Sequence, residues 1–246
     1  MSAKLYGLAV SHPSHAARAM LELKGIEYEL TNFPVGMQPI GLRAAGFRGR
    51  KVPALKIGGR KVQGTKNISR ALDEIQPEPP LFPPDRRRAV EQAEDWTERE
   101  LQPLPRRFFR WGMATRPGLR RWVVANIAKA PAPGVTSTLV LPQMRYFAYL
   151  SRATDDSVRE GVALLPGLLD RVDALIADGT IGRPGQPNAA DFQVASTIAV
   201  MRAFADLRPE LEGRPGTELA TRLFPREGAA LPPFIPEDWL TPLRRG

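Results

Sequence analysis

Five prolines fall within ten residues, "QPEPPLFPPD", positions 76 to 85. Proline fixes φ and has no amide hydrogen, so neither a helix interior nor a central strand runs through such a stretch. The segment reads as a semi-rigid linker. It separates two parts of the chain whose apolar residues repeat with different periods.

Before the linker the pattern is mixed. "KLYGLAV" alternates and reads as a strand, and "SHAARAMLELKGI" places Ala16, Ala19, Met20 and Leu23 at helical spacing. Gly25 follows as a helix C-cap. "EYELTNF" reads as a second strand, parallel to the first if the helix crosses over. "PIGLRAAGF" is a short helix. "VPALKI" and "RKVQG" are strands joined by a Gly-Gly turn. "TKNISRALDEI" is helical, with Thr65 as the candidate N-cap. After the linker the pattern is helical almost throughout. "RRRAVEQAEDWTERELQ" reads as one amphipathic helix, "VREGVALLPGLLDRVDALIADG" as another with a start or kink at Pro166, and "NAADFQVASTIAVMRAFADL" as the most apolar. From about Arg208 the tail, rich in Pro and Gly, reads as irregular chain. The expected organisation is a βαβ–ββα domain over 1–77, a linker over 78–85 and an all-helical domain over 86–246.

The chain has no cysteine, which excludes disulfides, thiolate metal sites and a cysteine nucleophile. Any thiol chemistry needs a thiol brought by a ligand. No apolar run approaches the roughly 18 to 20 residues of a membrane span, and no signal-peptide pattern opens the chain. The expected location is the cytoplasm. Net charge is +9, and the excess is local. From Leu101 to Thr154 there is no Asp or Glu, while Arg106, Arg107, Arg110, Arg116, Arg120, Arg121, Lys129, Arg145 and Arg152 all fall there. That asymmetry fits an anionic ligand or surface, or a plainly solubilising face. No nucleic-acid motif accompanies it, so nucleic acid is not the expected partner.

Both histidines sit in "GLAVSHPSHAARAML", with Ser11 and Ser14 beside them. A Ser–His hydrolase needs a base held by a third group and an oxyanion hole, and no "GxSxG" elbow occurs. Two histidines three apart lack a third metal ligand. Neither histidine is expected to carry chemistry.

Taken in order, "LYGLAVSHPSHAARAMLELKGIEYE", "KVPAL", "VQGTKNISRALDE" and "PNAADFQVA" resemble the glutathione transferase family over roughly residues 1 to 205. The resemblance implies a thioredoxin-like domain that binds glutathione as co-substrate, followed by a helical-bundle domain, in a homodimer. It implies no metal. It makes Pro53 a cis proline, and it assigns Lys51, Val52, Pro53, Gln63, Gly64 and Thr65 to the thiol ligand. The family's acidic or Gln position falls on Gly64 and its Ser on Thr65, which leaves the ligand's ammonium group less well paired. Gln63 is the neighbouring candidate for that pairing. Asn188 and Asp191 form a capping box, a folding element.

In the family a loop hydroxyl hydrogen-bonds the bound thiol. The position falls on Ser11, with Ser14 as the alternative. A free thiol has a pKa near about 8.5. A hydroxyl donor and a helix N-terminus together lower it, so that the thiolate attacks an electrophile. The electrophile, small and either hydrophobic or anionic, is expected against Val10, Arg107, Phe109, Trp111 and Tyr146. Two alternatives stand beside conjugation: a non-catalytic binding protein using the basic helices, and a transferase using another small thiol.

Overall fold

The computed structural model describes residues 2–225 and 229–244. Strand β1 (Ala3–Gly7) and β2 (Tyr28–Asn32) run parallel, with Ala3 opposite Tyr28, because helix α1 (His12–Leu23) crosses over between them. A short α2 (Gln38–Ala44) follows. Strand β3 (Ala54–Ile57) returns antiparallel to β1, and β4 (Arg60–Gln63) pairs antiparallel with β3. Gly58 and Gly59 turn the hairpin at φ of 54° and 76°, angles that glycine takes without steric cost. The sheet order is β2-β1-β3-β4, and α3 (Thr65–Ile75) packs with α1 on it. This is the thioredoxin-like arrangement expected, followed by helices.

The linker is held by more than its prolines. Lys24, at the end of α1, is fully buried and donates to the Asp73 carboxylate at 2.9 Å. It also reaches the carbonyls of Gln76, Pro77 and Pro79 at 2.6, 3.1 and 2.6 Å. Asp73 accepts the Leu81 amide as well, at 2.7 Å. One cation thus gathers the chain end of α3 and the linker into a single knot, and Leu81 and Phe82 are buried behind it.

Helix α4 (Arg87–Trp96) ends earlier than its sequence pattern implied. The chain passes into one π-helical turn at Thr97–Leu101 before α5 (Pro103–Thr115). Pro103 explains the break, since it has no amide to continue the α4 ladder but suits the first turn of a new helix. Then come α6 (Pro117–Asn126), α7 (Pro133–Leu139), α8 (Leu141–Leu150), α9 (Asp155–Ala177) with Pro166 inside it, and α10 (Ala189–Met201). The tail is more regular than expected. It holds α11 (Arg208–Leu211), α12 (Pro215–Leu223) and a 3-10 segment at Glu237–Arg244. Its prolines start helices rather than prevent them. Close packing divides the chain into two units, Met1–Thr97 with Leu175–Thr197, and Glu98–Ala174 with Ile198–Gly246.

Two polar clusters shape the first unit. The Asn188 side chain accepts the amides of Ala190 and Asp191, and Asp191 accepts the Asn188 amide at 2.8 Å. This is the capping box read from the sequence. Asn188→Ala is expected to cost about 0.5–2 kcal/mol, read by chemical denaturation. The second cluster is Glu94, fully buried on α4, which accepts from Arg70 at 2.7 Å, from Ser69 at 3.0 Å and from Gln193. Burial pushes its carboxyl up to about 7, against the pull of Arg70 and the three donors. The folded protein therefore holds that proton more tightly than the unfolded chain does. Stability from this group is present below pH about 4.5 and is lost as pH rises through about 7, a swing of about 3 kcal/mol. Denaturation between pH 5 and 8 is expected to show that slope in the natural chain and a flatter one in Glu94→Gln.

Candidate functional site

Three segments meet at one end of the sheet. β1 ends at Gly7, β3 begins at Ala54 opposite Tyr6, and β4 ends at Gln63 opposite Ala54. The register carried one step further sets Pro53 between Gly7 and Gly64, and the Gly64 amide donates to the Pro53 carbonyl at 2.9 Å. The Val52–Pro53 peptide bond is cis, as the resemblance implied. Helices α1 and α3 both start at this edge, and neither has an acidic residue in its first turn. Two helix N-termini therefore present amide hydrogens and positive partial charge to one place, an arrangement that favours anions.

Ser11 and Ser14 are separated by the fold. Ser11 is the N-cap of α1, in extended backbone at φ −96°, and its hydroxyl accepts the Ser14 amide at 3.4 Å. That leaves the Ser11 hydroxyl proton to donate outward from a half-buried position. Ser14 is only 1 % exposed. Its Oγ accepts the Leu8 amide, and it lies 3.1 Å from where a Cβ on Gly7 would stand. Ser14 is thus packed against Gly7, while Ser11 is the more exposed of the two hydroxyls.

The histidines have structural work. His12 is buried at the start of α1. The His15 Nε2 lies 2.7 Å from the Ala9 carbonyl, which fixes the loop leading to Ser11. The sequence carried no signal for this contact, because it depends on how the loop doubles back. Arg18 points to Tyr28 and Glu22 at the surface.

At the other helix start, the N-cap is Gly64 rather than Thr65, at φ 89° and with no side-chain cap. A φ of that sign is a position for glycine. Thr65 is the first helical residue and is 8 % exposed. The α3 ladder begins with the Ile68 amide on the Gly64 carbonyl, so the helix end offers its preceding amides to a ligand. Gln63 does not point at this end. Its Nε2 donates to the Lys51 carbonyl at 2.7 Å and its Oε1 lies against Gly49. It clamps the loop that delivers Lys51, which is exposed, and Val52, which is half-buried. Gln63 thus holds the Lys51 loop through its Nε2.

The residues expected around an electrophile are scattered in character. Val10 is 58 % exposed in the loop before Ser11. Arg107 and Phe109 are half-buried on α5. Trp111, expected to line an open pocket, is a core side chain at 1 % exposure. It donates to Asp155 at 2.7 Å and packs on Phe234 and Trp239. Tyr146, also expected there, stands 57 % exposed on α8. Two concavities of about 610 and 470 Å³ flank the linker, where Asp85 pairs with Arg183, and neither includes Ser11. No cluster of three metal-ligating side chains occurs among the described residues.

Comparison with known proteins agrees with this fold. Residues 5–80 match the family model "Glutathione S-transferase, N-terminal domain". No curated protein matches the chain. Solved structures with the same fold include the β-etherase LigF of Sphingobium sp. strain SYK-6, at 18 % identity and TM-score 0.65, covering 92 % of this chain and 96 % of that one. A GST-like protein from Pseudomonas syringae is 19 % identical at TM-score 0.58, covering 92 % and 68 %. The maleylacetoacetate isomerase of Anaeromyxobacter dehalogenans 2CP-1, solved with dicarboxyethyl glutathione and citrate in its active site, is 21 % identical at TM-score 0.52, covering 90 % and 89 %.

Proposed function

We propose that this chain, which carries the first domain of the glutathione S-transferases, is a glutathione-dependent transferase of the serine type. The observation that carries the reading is the Ser11 hydroxyl. It caps one helix N-terminus at the same sheet edge where Pro53 and the α3 N-terminus converge. A thiol there meets a hydroxyl donor and a helix dipole, both of which favour its ionised form. The thiol proton leaves to solvent. The sulfur lone pair forms a bond to an electrophilic carbon, whose leaving group departs with its electron pair. Ser11 donates a hydrogen bond and forms no covalent bond.

The α3 end would take the γ-glutamyl carboxylate through its amides, with Thr65 adjacent. Lys51 and the Val52 backbone would hold the rest of the tripeptide. Gly64 brings no carboxylate to the ammonium group, and Gln63 is spent on Lys51. Affinity for glutathione is therefore expected to be modest. Titration calorimetry with glutathione tests the reading. Saturable heat at millimolar ligand supports it. No heat at that concentration overturns glutathione as the co-substrate and leaves another small thiol, or a non-catalytic binding role.

A further inference from the structure

The carbonyl of Lys66 lies in the first turn of α3, the turn whose amides the thiol ligand would use, and side chains hold it. Ser69 Oγ donates to it at 2.9 Å and Arg70 Nη1 at 3.0 Å. Both donors also face Glu94 on α4. Ser69 Oγ lies 3.0 Å from its Oε1, and Arg70 Nη1 lies 2.7 Å from its Oε2. The whole set belongs to the first unit, and Glu94 and Ser69 are fully buried.

A serine hydroxyl has one proton. Here it has two acceptors at nearly equal distance, and the charge on Glu94 decides between them. An ionised Glu94 takes the proton, because an anionic acceptor makes the stronger bond. A neutral Glu94 leaves it to the Lys66 carbonyl, and frees Arg70 Nη1 to lean the same way. Gln193 serves both states. Its Nε2 donates to Glu94, and its Oε1 is buried without a partner. With the amide turned over, that oxygen accepts the proton of the neutral acid. Around Glu94, α3 brings Arg70 and Ser69, α10 brings the uncharged Gln193, and Asp95, its neighbour on α4, is engaged by Lys66. Burial pushes the Glu94 carboxyl up to about 7, so both forms are populated near neutral pH.

The Lys66 carbonyl and the Asn67 amide are two ends of one planar, resonant peptide unit. A hydrogen bond onto the carbonyl polarises the unit and makes the amide a stronger donor. Neutral Glu94 therefore strengthens the anion-binding turn twice: through this peptide, and by removing a negative charge behind it.

On the reading of this edge as a glutathione site, we propose that Glu94 is a positioning residue for it: by holding or releasing Ser69 and Arg70 it sets the Lys66–Asn67 peptide, and with it the grip of the α3 turn on the ligand's carboxylate.

S-methyl glutathione is the probe, because its thioether does not titrate. Calorimetry of the full chain is expected to show binding about three-fold tighter at pH 5.5 than at pH 7.5. Glu94→Gln, which keeps the shape and stays neutral, should bind at the tighter value at both. His12 and His15 are present in both chains, so their titration cancels in the comparison. A merely structural role would weaken binding at every pH alike. In proton–nitrogen correlation spectra without ligand, the Asn67 amide should move with pH about a midpoint of about 7, and should hold still in Glu94→Gln. Ser69→Ala removes the shared proton and leaves Glu94 in place, and should cut that movement by roughly half. Equal pH dependence in the natural chain and Glu94→Gln overturns the proposal, as does an Asn67 resonance indifferent to Glu94. No heat from either chain overturns glutathione as the ligand, and the Asn67 resonance alone then decides whether Glu94 governs the turn.

Discussion

Ser11→Ala is expected to lower the rate of glutathione conjugation to a generic electrophile by at least about ten-fold, which corresponds to the loss of one charge-assisted hydrogen bond. The loss should fall mainly on kcat, because the hydroxyl matters to the ionised sulfur more than to the bound thiol. It should also change shape with pH. Without the donor the rate should rise toward the free thiol pKa of about 8.5, while the natural chain reaches its plateau earlier. Ser11 also caps α1, so a lost cap alone would lower stability without moving the pH profile. Ser11→Thr keeps a hydroxyl and should keep most of the rate. An unchanged rate in Ser11→Ala sinks the assignment.

Lys24→Met is expected to be the most destabilising single change described, at about 3–5 kcal/mol by denaturant titration. The substitution fills the volume but strips four acceptors of one donor: the Asp73 carboxylate and the carbonyls of Gln76, Pro77 and Pro79. Asp73 retains the Leu81 amide, yet its charge is left largely buried without a cation. Asp73→Asn in the same background should recover part of the loss, since the stranded charge goes with it. A cost under about 1 kcal/mol for Lys24→Met would mean that solvent replaces the ammonium group, and the knot would be incidental.

Much of the fold was legible because it is local. The strand in "KLYGLAV", which ends at Gly7 and is buried on both faces rather than alternating, the Gly58–Gly59 turn and the Asn188–Asp191 box each specify themselves within a few residues. The short α4 and the ordered tail were misjudged for one shared reason. Proline breaks a helix from inside but opens one from its first turn, and position within the turn is not visible from composition. The site divided the same way. Pro53 and Ser11 lie in motifs with fixed neighbours. The burial of Ser14, the turning away of Gln63 and the place of Trp111 in the core depend on contacts made by distant segments. Thr65 lost the cap to Gly64 by one residue, a distinction that only the positive φ reveals.

The α3 end presents backbone rather than side chains. Gly64 contributes a conformation, and the amides that follow it belong to every residue except proline. A surface of that kind is indifferent to most substitutions: side chains at 65 to 67 can drift while the amides stay in place. Alanine scanning across that turn would record small effects even where binding is concentrated. The informative changes there are those that alter the chain path, such as a β-branched residue at Gly64, or that delete an amide, such as proline at 66.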